Sequence, residues 1–514
     1  MTSQTFIDLS RWQFATTAAF HMTFPALSVG LAIFVAICYG AYYKTNNPVY
    51  LQMFRFWRSI FAIGFALGIV SGIVLTFELG LNWGNYARAV GPILGPMICM
   101  EALMAFFLEA GFFGILVWGE GRVSKRVTMV SACMVALGAL LSTAWILDAN
   151  SWMQTPAGYR EVNGQFQPVN WLHAIFNPAF NWRFPHMVLA VLIAAAWFIA
   201  AIGAYYLLRR RALPLARKTL SIALLAAAIL LPIQLNVGDN MASYMTLVYQ
   251  PDKLIAAEGN FNNGNTGWVW FAVPDQAQQR NYIQLSIPYA ESVFDFHNFS
   301  GDESAPGLKT IPQNLQPTVA PVFWGFRLMI YGAWAMFSVA FIGVILRLRR
   351  RLYTERWFLR LVQWMLPVGV IATIAGWVLS ESGRQPWLVY GKLLVNQSAS
   401  SLSIGELIAS LAALWVVYFV LITAWIRQVV REVRRGRPHR ADGRLGGRQV
   451  DAAAGAGGHA AADGRRGPDR RDRPARTPLR EPRRRRDARG TGQPAAQRHR
   501  RGEPPPRPPG RHGR

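Results

Sequence analysis

The chain has 514 residues, 52% of them hydrophobic, and 53 Lys and Arg against 27 Asp and Glu, a formal charge of +26. A soluble chain of this length would hold roughly three or four domains, but repeated apolar runs of about 20 residues, enough for a helix to cross ~30 Å of hydrocarbon, exclude that class. Nor does the charge point to nucleic acid: residues 431–514 alone hold 25 Arg and 9 acids, and the remaining 28 basic and 18 acidic residues fall mostly in or beside short loops between apolar runs.

Residues 1–15 are polar and lack the charged, apolar and cleavage regions of a removable leader, so the first span is expected to be retained. Spans are predicted near 16–43, 56–78, 92–118, 127–148, 186–208, 219–237, 321–346, 361–381 and 403–427. The expected fold is an all-α membrane bundle of about nine transmembrane helices. Basic residues give an independent check. Loops after spans 1, 3, 5 and 7 carry clusters such as Arg55 and Arg58, Arg122 and Lys125, Arg209 to Arg211, and Arg349 to Arg351. The short loops on the other side carry only Arg88, Arg160, Arg183, Arg384 and Lys392. The positive-inside rule therefore predicts an outer N-terminus and a cytoplasmic C-terminus, as an odd span count requires.

Residues 240–320 form a long polar segment, expected on the outer face, that contains Asp252, Glu258, Asp275, Glu291, Asp295, Asp302 and Glu303. Gly64, Gly68 and Gly72 recur at every fourth position of span 2, a small-residue face for close helix packing to which the pattern gives no catalytic meaning. Residues 1–436 are expected to form the membrane domain. From 437 to 514 the sequence is rich in Arg, Gly, Pro and Ala, has no Lys and no apolar period, and is expected to be disordered. It has the composition of GC-rich DNA translated out of frame, which points to a frameshift product or a non-functional extension; an RNA-binding tail is the competing reading.

Ionisable groups within a span cost at least ~2.5 kcal/mol near the bilayer centre, so they are candidates for function. His21, Glu101, Glu109, His186, Arg327 and, at a span end, Glu381 are the groups singled out. Of eight histidines, only His21 and His186 belong to predicted spans, and both fall toward the outer side. Met329 lies at a matching depth in span 7, and a His/Met pair is an established axial set for haem iron. The competing reading is that each histidine caps a helix or bonds a carbonyl. Glu101 and Glu109 are eight residues apart, ~12 Å along a helix and about 80° around it. They suit a proton relay, or equally a structural pair bonded to neighbouring helices. Cys38, Cys99 and Cys133 lie in apolar runs without a CxxC pattern, which argues against disulfides, iron–sulfur clusters and covalent haem. Too few membrane histidines are present for a haem–copper oxidase or a bc-type cytochrome.

The runs LSRWQFATTAAFHMTFPALSVG at 9–30, EALMAFFLEAGFFG at 101–114, ANSWMQTP at 149–156, FRLM at 326–329 and ESGRQPW at 381–387 resemble subunit I of cytochrome bd-type quinol oxidases. The similarity extends over about residues 5–430. It implies that His186 and Met329 ligate a low-spin b-type haem, and that His21 and Glu381 are axial ligands of two high-spin haems, one b-type and one usually d-type. The same resemblance makes Glu109 and Glu101, with Asn150 beside them, a proton path from the cytoplasm. Lys253 and Glu258, in KLIAAE, match quinol-binding residues of the outer loop; Arg327 and Trp377 match residues lining the haems.

By the same resemblance the chain is one subunit of a quinol:oxygen oxidoreductase of the bacterial inner membrane. It would work with a haem-free second membrane subunit and a small single-span subunit, and would build proton-motive force without pumping. Quinol, O2 and lipid are its expected partners, and nucleic acid is not. The outer loop is short, as in the branch that includes cyanide-insensitive oxidases, where a third b-type haem replaces the d-type in some members. Two other classes stay open: a proton-coupled transporter using Glu101 and Glu109, and a haem electron-transfer subunit without oxygen chemistry.

Overall fold

The computed structural model describes residues 4–264, 267–400 and 403–435. Among them are nine helical segments long and apolar enough to cross a membrane: Gln4–Thr45, Pro48–Leu81, Gly84–Trp118, Lys125–Gln154, Pro178–Leu208, Leu213–Tyr249, Val319–Leu348, Arg356–Ser382 and Ile404–Arg434, here spans 1 to 9. The architecture is the expected all-α bundle. The helices overrun most predicted ends, because hydropathy detects the hydrocarbon-spanning part and helices continue into the interface. The expected tail, 437–514, lies outside the described residues.

Span 5 is the central helix. Its run Val191–Gly203 is buried almost throughout, and it packs against spans 1, 4, 6 and 8. Small side chains (Ala194, Ala195, Ala196, Ala200 and Ala201) let those neighbours approach closely. Spans 7 and 8 pair closely, as do spans 1 and 2. A large cluster of apolar side chains, including Trp57, Phe61, Trp197, Leu220 and Phe358, fills one half of the bundle.

Four interruptions break the regularity of the described spans, one of them in span 8, where the helix stops at Trp364 and resumes at Val368. Span 1 breaks between Thr23 and Pro25: Pro25 has no N–H for the carbonyl of His21, which instead accepts from the Phe24 amide at 3.1 Å. Span 3 contains a π-helical stretch, Met104–Ala110, which follows Glu101 and includes Glu109. Span 6 ends in a second one, Met241–Thr246, which extends the helix to Tyr249. The polar connection therefore begins about ten residues later than the predicted position 240, since Asn240, Ser243 and Thr246 belong to the span.

Among its described residues that connection has regular structure. It contains the short helix Pro251–Glu258, the antiparallel strands Trp268–Asp275 and Arg280–Ile287, and the helix Ala290–Phe296. All six residues from Lys253 to Glu258 are buried, packed against the start of span 7.

Candidate functional site

A cavity of about 1170 Å³ runs through the bundle, walled by residues of spans 1 to 8 and of the 250–318 connection. It exceeds the ~300–1,000 Å³ usual for a single small ligand. His21, His186, Met329, Glu381, Trp377, Asn150 and Lys253 all line it, so the structure brings together most of the residues singled out in the sequence.

His21 sits at the break in span 1. Its Nδ1 lies 3.0 Å from Ser71 Oγ on span 2. Ser71 Oγ also lies 2.8 Å from the Leu67 carbonyl and 3.1 Å from the Gly68 carbonyl, both of which can only accept, so its single hydrogen is assigned to them. The serine oxygen is then an acceptor, the imidazole carries its proton on Nδ1, and Nε2 keeps a free lone pair. Gly72 makes this approach possible, because a Cβ there would stand 3.2 Å from the His21 ring. The glycine stripe of span 2 therefore seats the imidazole as well as packing helices.

His186 follows Pro185 inside span 5. Its Nε2 is 3.3 Å from the Gln234 side-chain nitrogen on span 6, and its buried Nδ1 has no hydrogen-bond partner. A Cβ at Gly238 would meet the ring at 3.1 Å. Met329, on span 7, lies over Gly376 of span 8, where a Cβ would stand only 2.7 Å from the sulfur. His21, His186 and Met329 are thus each cradled by a glycine on a neighbouring helix.

Glu381 is the hub of a buried polar network. Arg384 donates to its Oε2 at 2.5 Å, while Asn150 and Gln154 donate to Oε1 at 3.1 and 3.3 Å. Arg183 stands 3.8 Å away and donates to Ser380. Lys253 reaches the same network, bonding Gln154 Oε1 and, at 2.7 Å, Gln250 Oε1. Burial, with Arg183 nearby, holds the Lys253 ammonium well below the ordinary lysine range, Glu381 opposing. Asn150, expected beside the proton path, bonds Glu381.

Arg327 and Glu258 lie elsewhere. They form an ion pair at 3.0 Å with side-chain exposures of 0% and 1%. Arg327 also donates to the carbonyls of Val269 and Ala257 at 2.8 and 3.0 Å, and its guanidinium faces the rings of Trp268, Phe323 and Phe326 at 4.4, 4.5 and 5.0 Å. Neither residue lines the cavity. Its donors are engaged in fastening the connection to span 7.

Glu101 accepts a hydrogen bond from Ser142 of span 4 at 2.9 Å, and Glu109 is buried against Gly138 of the same span. Neither lines the cavity. The π-helical stretch that includes Glu109 changes the rotation per residue, so the 80° offset of a regular α-helix does not apply. Sequence reasoning misses two further buried acids. Glu78 accepts from Thr17 at 2.6 Å, and Asp148, 1% exposed, has both carboxylate oxygens without a hydrogen-bond partner. It misses Gln154 and Gln250 too, and Arg183 reads only as a loop charge.

Comparison with known proteins identifies the frame in which these residues sit. The family model for cytochrome bd terminal oxidase subunit I matches residues 9–437. Cytochrome bd ubiquinol oxidase subunit 1 of Bacillus subtilis is 33% identical over 443 residues, 84% of this chain and 94% of that protein. Cytochrome bd-II ubiquinol oxidase subunit 1 of Escherichia coli is 33% identical over 499 residues, 84% and 96% of the two chains. The bd oxidase structure from Geobacillus thermodenitrificans superposes with a TM-score of 0.78 at 27% identity, covering 85% of this chain and all of that one. With nine apolar helices among its described residues and a family match across its membrane body, the chain belongs to the cytochrome bd terminal oxidase subunit I family, multi-pass proteins of the bacterial inner membrane.

Proposed function

We propose that this chain is the haem-bearing subunit of a terminal quinol oxidase that oxidises quinol at the outer face and reduces O2 to water with cytoplasmic protons, without pumping. One observation carries the reading: His21, His186, Met329 and Glu381, contributed by spans 1, 5, 7 and 8, all line a single large cavity. An imidazole pair, a thioether and a carboxylate are oxygen, nitrogen and sulfur donors of the kind that haem irons take. The glycine cradles and the unpartnered Nδ1 of His186 fit porphyrins among these side chains.

In this reading His186 and Met329 hold a low-spin b-type haem, while His21 and Glu381 serve two high-spin haems, one b-type and one either d-type or a third b-type. Bound haem supplies one-electron transfer and oxygen reduction. The chain supplies ligands, spacing and protons. His186 would hold the haem iron through its imidazole, with the Gln234 amide beside the ring. The Ser71 bond keeps Nε2 of His21 available. Arg183 and Arg384 surround Glu381 with positive charge, which offsets the charge of a carboxylate ligand in a buried site. Glu109 and Glu101 form stations for protons drawn from the cytoplasm, and Trp377 packs on the cavity wall. Lys253 and Glu258 serve the quinol side, Glu258 through Arg327 and the fold of the connection.

The working complex includes a second, haem-free membrane subunit, with a small single-span subunit as a further component. Exposed Phe77, Phe107, Trp118 and Phe419 give the bundle apolar surface for lipid or for such neighbours. The test is quinol-dependent oxygen uptake by purified complex. It should fall drastically in His21→Ala and in Glu381→Ala; unchanged uptake in both would favour an electron-transfer subunit without oxygen chemistry.

A further inference from the structure

The connection places an unusual group of acids beside the cavity. Asp295, on the helix Ala290–Phe296, lines the cavity although it is only 4% exposed, and its Oδ2 has no hydrogen-bond partner. The same cavity is lined by Trp268, Trp270, Phe294, Phe326 and Trp334, with Phe294, next to Asp295 in sequence, edge-on to Trp268 at 5.6 Å; aromatic walls suit a planar aromatic ring. Glu291, one helical turn earlier, is fully buried and bonded by the Ala305 amide at 3.1 Å and the Asn260 side chain at 2.9 Å. Glu258 stands behind it, paired with Arg327.

Three buried carboxyls thus lie near one another, with a single guanidinium, Arg327, paired to Glu258 and acting on Asp295. They cannot all be ionised without uncompensated negative charge in a dry site. Burial, together with Glu258 and Glu291, raises Asp295 well above the usual carboxylate range, with Arg327 opposing and Asp239 adding to the rise. Burial pushes Glu291 up to about 7. Burial raises Glu258 as well, against the lowering by Arg327. The charged groups facing Asp295 are therefore Glu258, Glu291, Arg327 and Asp239, the last bonded to His297 at 2.9 Å. A set of this kind holds a proton among its members and can exchange it.

We propose that Asp295 is the carboxylate that receives a hydroxyl proton from the quinol, with Glu291, Glu258 and Arg327 tuning it. This rests on the oxidase reading above and names a residue within it. Quinol oxidation to quinone breaks two O–H bonds and releases two electrons. The electrons pass to the haems and on to O2, which the established family activity reduces. One proton forms the O–H bond of the Asp295 carboxylic acid and the other goes to water. Asp295 then returns its proton to the outer solvent and is reset.

The experiment uses the intact purified complex carrying Asp295→Asn, which keeps the shape and removes the base, and Asp295→Glu, which restores it. Two donors are compared: a short-chain quinol, and tetramethyl-p-phenylenediamine, which gives an electron without losing a proton. Asp295→Asn should lower quinol-driven kcat by on the order of 10²-fold, with little change in KM and with loss of the acidic limb of the kcat–pH profile. Amine-driven uptake and the haem spectrum should stay near wild type, and Asp295→Glu should recover most of the quinol rate. Normal quinol-driven kcat across pH in Asp295→Asn would overturn the proposal, and so would an equal loss with both donors. If the wild-type complex itself takes up no oxygen with quinol, the oxidase reading fails instead.

Discussion

Arg327 and Glu258 meet at 3.0 Å in a site sealed from solvent, one on span 7 and the other at the end of the short helix Pro251–Glu258. Their pairing fixes the 250–318 connection to the bundle. Removing one partner of a buried pair leaves the other uncompensated and costs ~3–5 kcal/mol. Arg327→Leu should therefore loosen the connection and abolish quinol-driven uptake, whereas Glu258→Gln, which keeps a hydrogen-bond acceptor, should be milder. Limited proteolysis of the connection, read beside oxygen uptake, checks this ordering.

Met329→Leu should remove the low-spin haem signal selectively, because leucine has no lone pair for iron. Gly376→Ala tests the same ligand from the opposite side. A methyl at that position falls 2.7 Å from the Met329 sulfur, so the thioether must move. The low-spin band should shift or weaken in reduced-minus-oxidised spectra while the total haem content holds. A normal band in both variants would refute Met329 as a ligand.

Ser71→Ala deletes the acceptor for the His21 ring N–H. The ring then lacks the bond that fixes its tautomer and orientation, an outer contact typically worth roughly 10- to 100-fold in affinity at metal sites. High-spin haem bands should change while the His186/Met329 signal does not, and Ser71→Thr, which keeps the hydroxyl, should restore them.

The buried acids of the connection imply a pH dependence of definite sign. Glu291 has its folded-state pKa raised to about 7 by burial, above its unfolded value. Between the two values the folded state binds the extra proton, so the stabilisation is complete below the unfolded pKa and is lost as pH rises through about 7. Asp295 and Glu258 are displaced in the same direction. The connection should resist protease better at acidic pH than at alkaline pH, and Glu291→Gln should flatten the difference. Steeper protection on the alkaline side would contradict the burial argument.

Much of this is legible in the sequence because lipid restricts what a helix can carry. Span lengths and loop charges define the bundle, and the scarcity of imidazoles directs attention to His21 and His186. The residues that escape detection do so because of element ends and tertiary contacts. Glu78 and Asp148 fall at the ends of the predicted spans 56–78 and 127–148, where water would solvate them. The helices in fact continue to Leu81 and Gln154, leaving both acids inside. Lys253 is picked out by resemblance alone, and its contact with Gln154 exists only once the helix Pro251–Glu258 has folded. The π-helical stretches leave no trace in apolar periodicity, and the glycine of each cradle acquires meaning only once its partner helix is in place.

Whether iron porphyrins occupy the cavity is decided by pigment extraction and an absorption spectrum of the purified, fully assembled complex. The extract should contain b-type haem, with either d-type haem or additional b-type haem, and the complex should show reduced-minus-oxidised bands to match. A well-folded complex free of porphyrin, isolated from cells able to make it, would contradict the assignment of His21, His186, Met329 and Glu381 as haem ligands.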